Sequence, residues 1–327
     1  MTYRFLLAAV SCVAGLVCAG GCELNEDGDS AHPTTQATHT TSLKTGWPLS
    51  REDAVALQER EAERSGVPRF SRLDLGDSVF VDLVFIPPGT FPMGIAEQRD
   101  NPPRLVTISK GFLMSKYEIT WRQFLRVVDP AEVDLATRGV IEDVKEKQQW
   151  DYPADVMWLL AKKFCDRLSA ARGIRARLPS EAEWEYACRA GTTGLYGEWD
   201  SIDDSKANVS TWVGSDGKEV HSKKRFPWFV PVGQYQPNRW GLHDMMGNAR
   251  EFCLDAYSER VNIGTLPNVD PVLHNKGALF RVIRGGSCGY AHTVYYRHGD
   301  ATSGSHDGIR LVIEIDDAIR AKIVEVK

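Results

Sequence analysis

The sequence lacks a run of apolar residues long enough to cross a membrane as a helix. Its uncharged, mainly apolar stretch near the start, Phe5–Val17, is shorter than the roughly 20 residues that a transmembrane helix needs. An excess of positive charge is also missing, since the formal net charge is −5 and the isoelectric point is near 5.9. A chain of this charge has no basic field that would attract nucleic acid or an anionic membrane surface.

The N-terminus has the features of a signal peptide. Arg4 provides a short positive region before Phe5–Val17, which has the length of the apolar part of such a peptide. Three small residues then precede Cys22 and resemble the lipobox of bacterial lipoproteins, in which that cysteine is acylated. Cleavage near Ala19, with Cys22 an ordinary residue, is the alternative. We therefore expect an exported bacterial protein that loses residues 1–21 and is anchored by lipid on Cys22, in the periplasm or at the outer membrane.

The remaining chain divides by composition. Residues 22–50 are polar with almost no large apolar side chains, so they predict a disordered tether. Residues 51–78 predict a charged spacer helix, capped by Ser50, and a lead-in to the domain. Residues 79–317 combine helices with short strands and many turn residues, which is typical of an α+β domain, and residues 318–327 are interpreted as a tail.

Helices of the domain are predicted by apolar spacing and by caps. Ala154 to Ala171 has apolar residues at helical spacing. Ser180 and Glu183 can form a capping box, which starts another helix at Glu181. Further predictions are a helix over Trp121–Val128, a charged surface insertion over 129–149, and strands over Val79–Ile86, Leu105–Ile108, Phe112–Ile119, Phe280–Ile283 and Ile309–Ile315.

Several motifs resemble the sulfatase-modifying factor family, which includes the formylglycine-generating enzymes. In chain order they are Ile86–Gly94, Lys116–Thr120, Arg177–Ala187, Pro237-Asn238, Gly241–Asn248, Arg284–Ser287 and Gly308–Arg310. Each motif alone is weak, but the ordered set is specific. The resemblance implies a C-type-lectin-like fold of the α+β class with little regular secondary structure. Most of these residues are turn glycines, caps and core tryptophans, which identify a fold and not a chemistry.

The reaction centre of the enzymes in this family is missing. The resemblance implies two cysteines, at the third and eighth residues after the serine of the Gly-Gly-Ser motif. They bind the copper ion that activates oxygen to oxidise a sulfatase cysteine to formylglycine. Counting from Ser287, those positions hold Tyr290 and Tyr295, and a tyrosine cannot supply the thiolate that soft Cu(I) prefers. Copper is therefore not expected. Cys288 could pair with Cys253 around a metal of different geometry, or it could be a core residue or a disulfide partner.

Iron chemistry is a second redox alternative. A branch of the family, the sulfoxide synthases of the ergothioneine pathway, implies a three-histidine iron site marked by a His-x3-His-x-Glu triplet, which the sequence lacks. His292, His298 and His306 could still converge with Asp300 or Asp307, or they could be surface histidines of a polar loop. Another branch, periplasmic proteins of pyoverdine maturation, shares the domain without the paired cysteines, as this chain does.

The resemblance also implies a calcium site. The family's calcium loop matches Asp244 and Glu251, whose side chains would bind the ion together with the main-chain carbonyls of Gly247 and Ala249. Such a set of oxygen ligands suits a hard cation. The family usually has a tryptophan at the position of Arg250, and this positive charge could weaken binding. Asn208 and the carbonyl of Val209 could form part of a second calcium site, for which Asp216 is one candidate aspartate ligand.

The favoured hypothesis for function is a binding module of the cell envelope that recognises a protein, a peptide or a glycan. Aromatic and arginine side chains suit recognition surfaces, and the candidate pocket residues are Trp240, Cys288, Tyr296 and Arg297, beside Ser287, Tyr290 and Tyr295. A metal-dependent oxidase of the same family with altered ligands, of the formylglycine-generating or pyoverdine-maturation type, is the alternative. The four cysteines of the domain allow three full disulfide pairings, and the sequence does not choose among them.

Overall fold

The computed structural model describes residues 46–95, 102–137, 140–214, 217–223, 228–257, 266–275, 277–300 and 306–326. The chain divides into two units, Met1–Ser42 and Leu43–Lys327, and every described residue lies in the second unit. The predicted signal peptide, the predicted lipidation site at Cys22 and most of the predicted tether therefore lie outside the described residues. Within the described part, no helix is both long enough and apolar enough to cross a membrane.

Regular secondary structure is divided between short helices and short strands. The helices are α1 (Arg51–Ser65), α2 (Trp121–Val127), α3 (Pro130–Thr137), α4 (Val140–Glu146), α5 (Trp158–Arg172), α6 (Glu181–Arg189) and α7 (Asp317–Arg320). The strands are β1 (Phe70–Gly76), β2 (Val79–Ile86), β3 (Gly89–Met93), β4 (Arg104–Ile108), β5 (Phe112–Ser115), β6 (Ala176–Arg177), β7 (Thr211–Val213), β8 (Glu219–His221), β9 (Arg250–Ala256), β10 (Arg281–Arg284), β11 (His298–Asp300), β12 (Asp307–Gly308), β13 (Val312–Glu314) and β14 (Ile323–Glu325). This mixture confirms the predicted α+β class.

The largest sheet has six antiparallel strands in the order β14-β1-β2-β5-β13-β6. Side chains of β2 alternate between its two faces. Val81, Leu83 and Phe85 pack in one core cluster with α2 and α5, whereas Val84 and Ile86 pack in another cluster with α6. Both faces of this strand are covered, and its sequence is therefore a nearly continuous apolar run.

A four-stranded sheet, in the order β11-β10-β9-β12, positions the candidate site. Strand β10 ends at Arg284, directly before the Gly-Gly-Ser motif, and its antiparallel neighbour β9 begins at Arg250. On the other side of β10, Ile283 lies opposite His298 of β11. The pairing thus brings the first residues of β9 and β11 to the end of β10 that carries the motif.

Helix α1 has the predicted Ser50 cap but is not a spacer. Gln58 is fully buried, and its Nε2 donates hydrogen bonds to the main-chain oxygens of Phe85 (2.7 Å) and Trp240 (3.0 Å). The lead-in also belongs to the domain, because β1 pairs with β2 along most of its length. The interpretation of residues 51–78 as a charged spacer is therefore wrong.

Two other segments that the sequence places at the surface contribute to the fold. The predicted insertion at residues 129–149 contains α3 and α4, and its Val133, Ile141 and Val144 are buried. The predicted tail at residues 318–327 contains β14, which pairs with β1 at the edge of the large sheet. In both segments, a few apolar residues among many charges are enough to attach the chain to the core.

The capping box of α6 is confirmed. The Ser180 hydroxyl accepts a hydrogen bond from the Glu183 amide (3.1 Å), and the Glu183 carboxylate accepts one from the Ser180 amide (2.8 Å). Helix α5 begins four residues later than the predicted start at Ala154. The reason is that the amides of Ala154 and Val156 donate to the carbonyls of Ile119 and Asp307, which keeps this stretch extended.

Candidate functional site

The Gly-Gly-Ser motif forms a tight turn after β10. Gly286 has a φ of 73°, and a Cβ at this position would lie 2.8 Å from the His292 amide nitrogen and 2.9 Å from the Tyr290 carbonyl oxygen. Such contacts and such a φ leave room for glycine alone. Ser287 and Tyr290 exchange main-chain hydrogen bonds of 2.9 and 3.1 Å. The turn therefore folds the following segment back against the end of β10.

Tyr290 and Tyr295 lie in different surroundings. The Tyr290 hydroxyl donates a hydrogen bond to Glu219 of β8 (3.0 Å) at the surface. Tyr295 packs against a core cluster, and its main-chain oxygen accepts a hydrogen bond from Nη1 of Arg284 (2.9 Å). Each tyrosine thus has a contact of its own, and neither position supplies a thiol.

The cysteines of the described residues are all buried, and none of them forms a disulfide. Burial raises the pKa of the Cys288 thiol to about 12, with a further contribution from Asp155. Burial also raises the pKa of Cys253 well above its ordinary value. Without a metal, both side chains are therefore protonated thiols at neutral pH. Cys288 is fully buried in the core, which is one of its predicted roles, and it does not line the cavity at the end of β10, where it was a candidate pocket residue.

A cavity of about 190 Å³ lies between the ends of β9, β10 and β11. It is lined by Arg250, Ile283, Arg284, Gly286, His292, Tyr296 and His298. The ring of His292 stacks on that of Tyr296, with 3.8 Å between centroids and an angle of 4° between planes. Burial, with Arg250 and His298 nearby, lowers the pKa of His292 to about 4. The cavity thus has an aromatic stack whose imidazole is neutral at physiological pH.

Arg250 is the first residue of β9, and its side chain forms part of the cavity wall. Its Nη2 lies 3.3 Å from Oδ2 of Asp300, and its Nε lies 2.7 Å from Oδ1 of Asp307. Asp307 is fully buried, and burial raises its pKa to about 7. The two carboxylates hold the guanidinium group in place from two directions.

Arg284 fixes the other side of the cavity. It is almost fully buried, and its Nη1 donates to the main-chain oxygens of Tyr295 and Tyr296, at 2.9 Å each. Its Nη2 pairs with Glu185 of α6. Its Nε has no hydrogen-bond partner. One arginine thus ties the segment after the motif to α6 and leaves one buried donor unused.

Of the predicted pocket residues, Tyr296 lines the cavity, but Trp240 and Arg297 do not. Trp240 is fully buried under α1, where its Nε1 donates to the carbonyl of Ala54 (3.1 Å). Arg297 is buried and makes two hydrogen bonds to Glu181, of 2.8 and 2.9 Å. Both side chains therefore stabilise the fold, which corrects their assignment to the pocket.

The three histidines that were considered as iron ligands converge only in part. His292 and His298 line the same cavity, whereas the ring of His306 lies near Trp228 and Phe229, at centroid distances of 5.8 and 5.6 Å. Within the part of the chain that the structure describes, no group of three or more His, Cys, Asp or Glu side chains could hold a metal ion. Arg250 and Arg284 were not predicted as cavity residues, although the Arg-Gly-Gly-Ser motif was a signal for Arg284.

The predicted calcium loop contains a buried ion pair. Both oxygens of Glu251 accept hydrogen bonds from Arg310 (2.6–2.9 Å), and one also accepts from Trp184 Nε1 (2.6 Å). Oδ2 of Asp244 accepts from the Gly233 amide (2.6 Å), and its Oδ1 is buried without a hydrogen-bond partner. Because the oxygens of Glu251 are already in use, these side chains as placed do not fit a calcium ion bound by Asp244 and Glu251 together.

The second predicted calcium site has only part of its residues in the described chain. Nδ2 of Asn208 donates to the Trp228 carbonyl (3.1 Å) and to Oδ1 of Asn248 (2.9 Å), and Val209 is buried in the core. Asp216 lies outside the described residues. Asn208 therefore holds two loops together through its amide group.

Comparisons with known proteins agree with the geometry. The family model described as "Sulfatase-modifying factor enzyme 1-like domain" matches residues 77–315. The formylglycine-generating enzyme of Thermomonospora curvata is 26% identical over 280 residues, which cover 70% of this chain and 92% of that enzyme. The bovine "Inactive C-alpha-formylglycine-generating enzyme 2" is 28% identical over 232 residues, covering 57% of this chain and 74% of that protein.

Two further comparisons concern a larger protein and a solved structure. The serine/threonine-protein kinase Pkn1 of Chlamydia trachomatis is 30% identical over 228 residues, covering 64% of this chain, which spans only 33% of the kinase's length. PvdO from Pseudomonas aeruginosa has the same fold, with a TM-score of 0.57 and 21% identity, over 76% of this chain and 98% of PvdO. Because the family model covers most of the chain, this protein belongs to the sulfatase-modifying factor enzyme 1-like domain family, as its motifs predict.

Proposed function

We propose that this protein is a binding module of the cell envelope that does not form formylglycine. The observation that carries the proposal is the pair of tyrosines at the family's two cysteine positions. Tyr290 bonds to Glu219, and Tyr295 supports Arg284 through its main chain. Neither side chain replaces a thiolate ligand of Cu(I). The name of the bovine relative, "Inactive C-alpha-formylglycine-generating enzyme 2", supports the idea that this family includes domains that do not carry out the oxidation.

The cavity beside His292 and Tyr296 supports a role in recognition. Ligand sites combine aromatic surface with a few well-placed polar groups, and this cavity has stacked rings next to two arginines. The wall is also well ordered by hydrogen bonds, because Arg284 anchors the segment that carries both rings. A preformed wall of this kind loses little conformational entropy when a ligand binds.

The proposed place of action is the cell envelope, and the sequence alone supports it. Arg4, the apolar run at Phe5–Val17 and Cys22 have the order of a lipoprotein signal. A lipid on Cys22 would hold the domain at a membrane, where its ligand would be a protein, peptide or glycan. Labelling of cells with a radioactive fatty acid tests this: the native chain should be labelled, and Cys22→Ser should not.

Metal analysis combined with oxygen uptake tests the absence of formylglycine chemistry. We expect protein purified in air to contain no stoichiometric copper or iron, and to consume no oxygen with a cysteine peptide. The Thermomonospora curvata enzyme is the positive control under the same conditions. Stoichiometric metal together with turnover would contradict the proposal and would favour an oxidase with altered ligands.

A further inference from the structure

We propose that the cavity between β9, β10 and β11 recognises a carboxylate group of its ligand, and that Arg250 sets this preference. The inference rests on the proposed function of the cavity as a binding site. Among the described residues that line the cavity, two are arginines, two are histidines and none is an acid. None of the acidic partners of the arginines lines the cavity, so a ligand meets mainly hydrogen-bond donors.

Arg250 differs from the residue that the family resemblance implies at this position. A tryptophan there would offer a large apolar surface and a single N–H donor. Arg250 instead has a charged, planar guanidinium group, whose geometry matches that of a carboxylate. Asp300 and Asp307 contact its Nη2 and Nε, and these contacts orient the guanidinium group before a ligand arrives.

Arg284 provides a second, independent observation. It is about 1% exposed, and its Nε has no hydrogen-bond partner. Both of its Nη atoms, in contrast, contact oxygen atoms of the protein. A buried donor without an acceptor is unfavourable. Arg284 lines the cavity, so its guanidinium group belongs to the same wall as that of Arg250. His298, at the exposed rim on β11, adds another polar group at the entrance.

A carboxylate at this site could come from the acidic residue of a peptide or from a uronic acid of a glycan. Two small probes separate these sources, namely glucuronate and N-acetylglutamate α-amide, in which only the side-chain carboxylate is left. Their uncharged counterparts, glucose and N-acetylglutamine α-amide, have nearly the same shape. The comparison within each pair isolates the carboxylate, and the comparison between the pairs identifies the scaffold that carries it.

Isothermal titration calorimetry of the full chain with the four probes tests the proposal. We expect at least one acid to bind about tenfold more tightly than its uncharged counterpart, because a charge-assisted bidentate contact is lost in the latter. Arg250→Gln should remove this difference. Since that change leaves buried Asp307 without its cation, the double variant Arg250→Gln/Asp307→Asn removes both charges and keeps the test valid. Arg122→Gln, at a surface ion pair with Asp151, is the control and should bind as the native protein does.

Three results would overturn the proposal. They are equal binding of acid and uncharged probe, unchanged discrimination in both Arg250 variants, and failure of both acids to bind. Binding of glucuronate alone would assign the carboxylate to a glycan, and binding of N-acetylglutamate α-amide alone would assign it to a peptide. Oxygen uptake is measured separately, so an active oxidase would contradict the proposed function without deciding the preference set by Arg250.

Discussion

Replacing Arg310 with methionine is expected to destabilise the domain strongly. Arg310 is fully buried, and its guanidinium group bonds to both oxygens of Glu251. It also donates to the main-chain oxygens of Ser115 (2.9 Å), Lys116 (3.1 Å) and His243 (2.8 Å). One side chain thus compensates a buried charge and joins β5 to the predicted calcium loop.

The expected loss follows from these contacts. Breaking a buried ion pair by removing one partner costs about 3–5 kcal/mol, because the other charge is left in a medium of low polarity. The three main-chain oxygens each lose a hydrogen bond worth about 1 kcal/mol, although such contributions are not strictly additive. The free energy of unfolding should therefore fall by about 4 kcal/mol or more. For comparison, Arg72→Met at the partly exposed pair with Asp82 should cost only about 0–1 kcal/mol.

Urea unfolding, followed by tryptophan fluorescence, measures the difference. The double variant Arg310→Met/Glu251→Gln removes both charges and should recover much of the stability that Arg310→Met loses. If Arg310→Met lowered the free energy of unfolding by less than about 1 kcal/mol, which is the range of a surface ion pair, the buried charge of Glu251 would not need Arg310 as its partner. That result would also make Glu251 available to a cation and would revive the predicted calcium site.

Three other changes test separate parts of the structure. Calcium, compared with a chelator, should leave the melting temperature unchanged, because Arg310 already occupies Glu251, and a clear rise would contradict this. Burial and Glu181 raise the pKa of Asp255 from 3.8 to about 7, so its proton stabilises the fold at low pH and this contribution is lost as pH rises through that window. In the native protein, the urea midpoint should therefore fall as pH rises from 3.8 to about 7. Asp255→Asn should make this fall smaller, and an unchanged fall would refute the raised pKa of Asp255. Gln58→Ala should cost about 1–3 kcal/mol, because two buried carbonyls lose their donor, and should speed proteolysis of α1, whereas the exposed control Glu63→Ala should do neither.

The sequence predicts those features whose partners are close along the chain. The capping box of α6 needs only Ser180 and Glu183, which are three residues apart, and the helix begins where this pair predicts. Strand β2 is likewise recognised from its own apolar run. The family resemblance adds the fold class and the order of the motifs, because glycines such as Gly286 are required by local backbone geometry.

The sequence does not reveal which distant partner a polar residue finds. In the sequence, Gln58 is one more polar residue of a charged helix, yet its acceptors are 27 and 182 residues away. Arg297 has the residue type of a binding site, but it bonds to Glu181, which is 116 residues earlier in the chain. Whether an arginine binds a ligand or stabilises the core depends on tertiary contacts, which composition and spacing do not contain.

The pairing of β14 with β1 has a consequence for biosynthesis. Ser71 of β1 lies opposite Glu325 of β14, so a ribosome must translate more than 250 further codons before this strand meets its edge neighbour. Contacts between such distant segments form slowly. A nascent chain would therefore remain incomplete at this edge of the sheet until translation is nearly over.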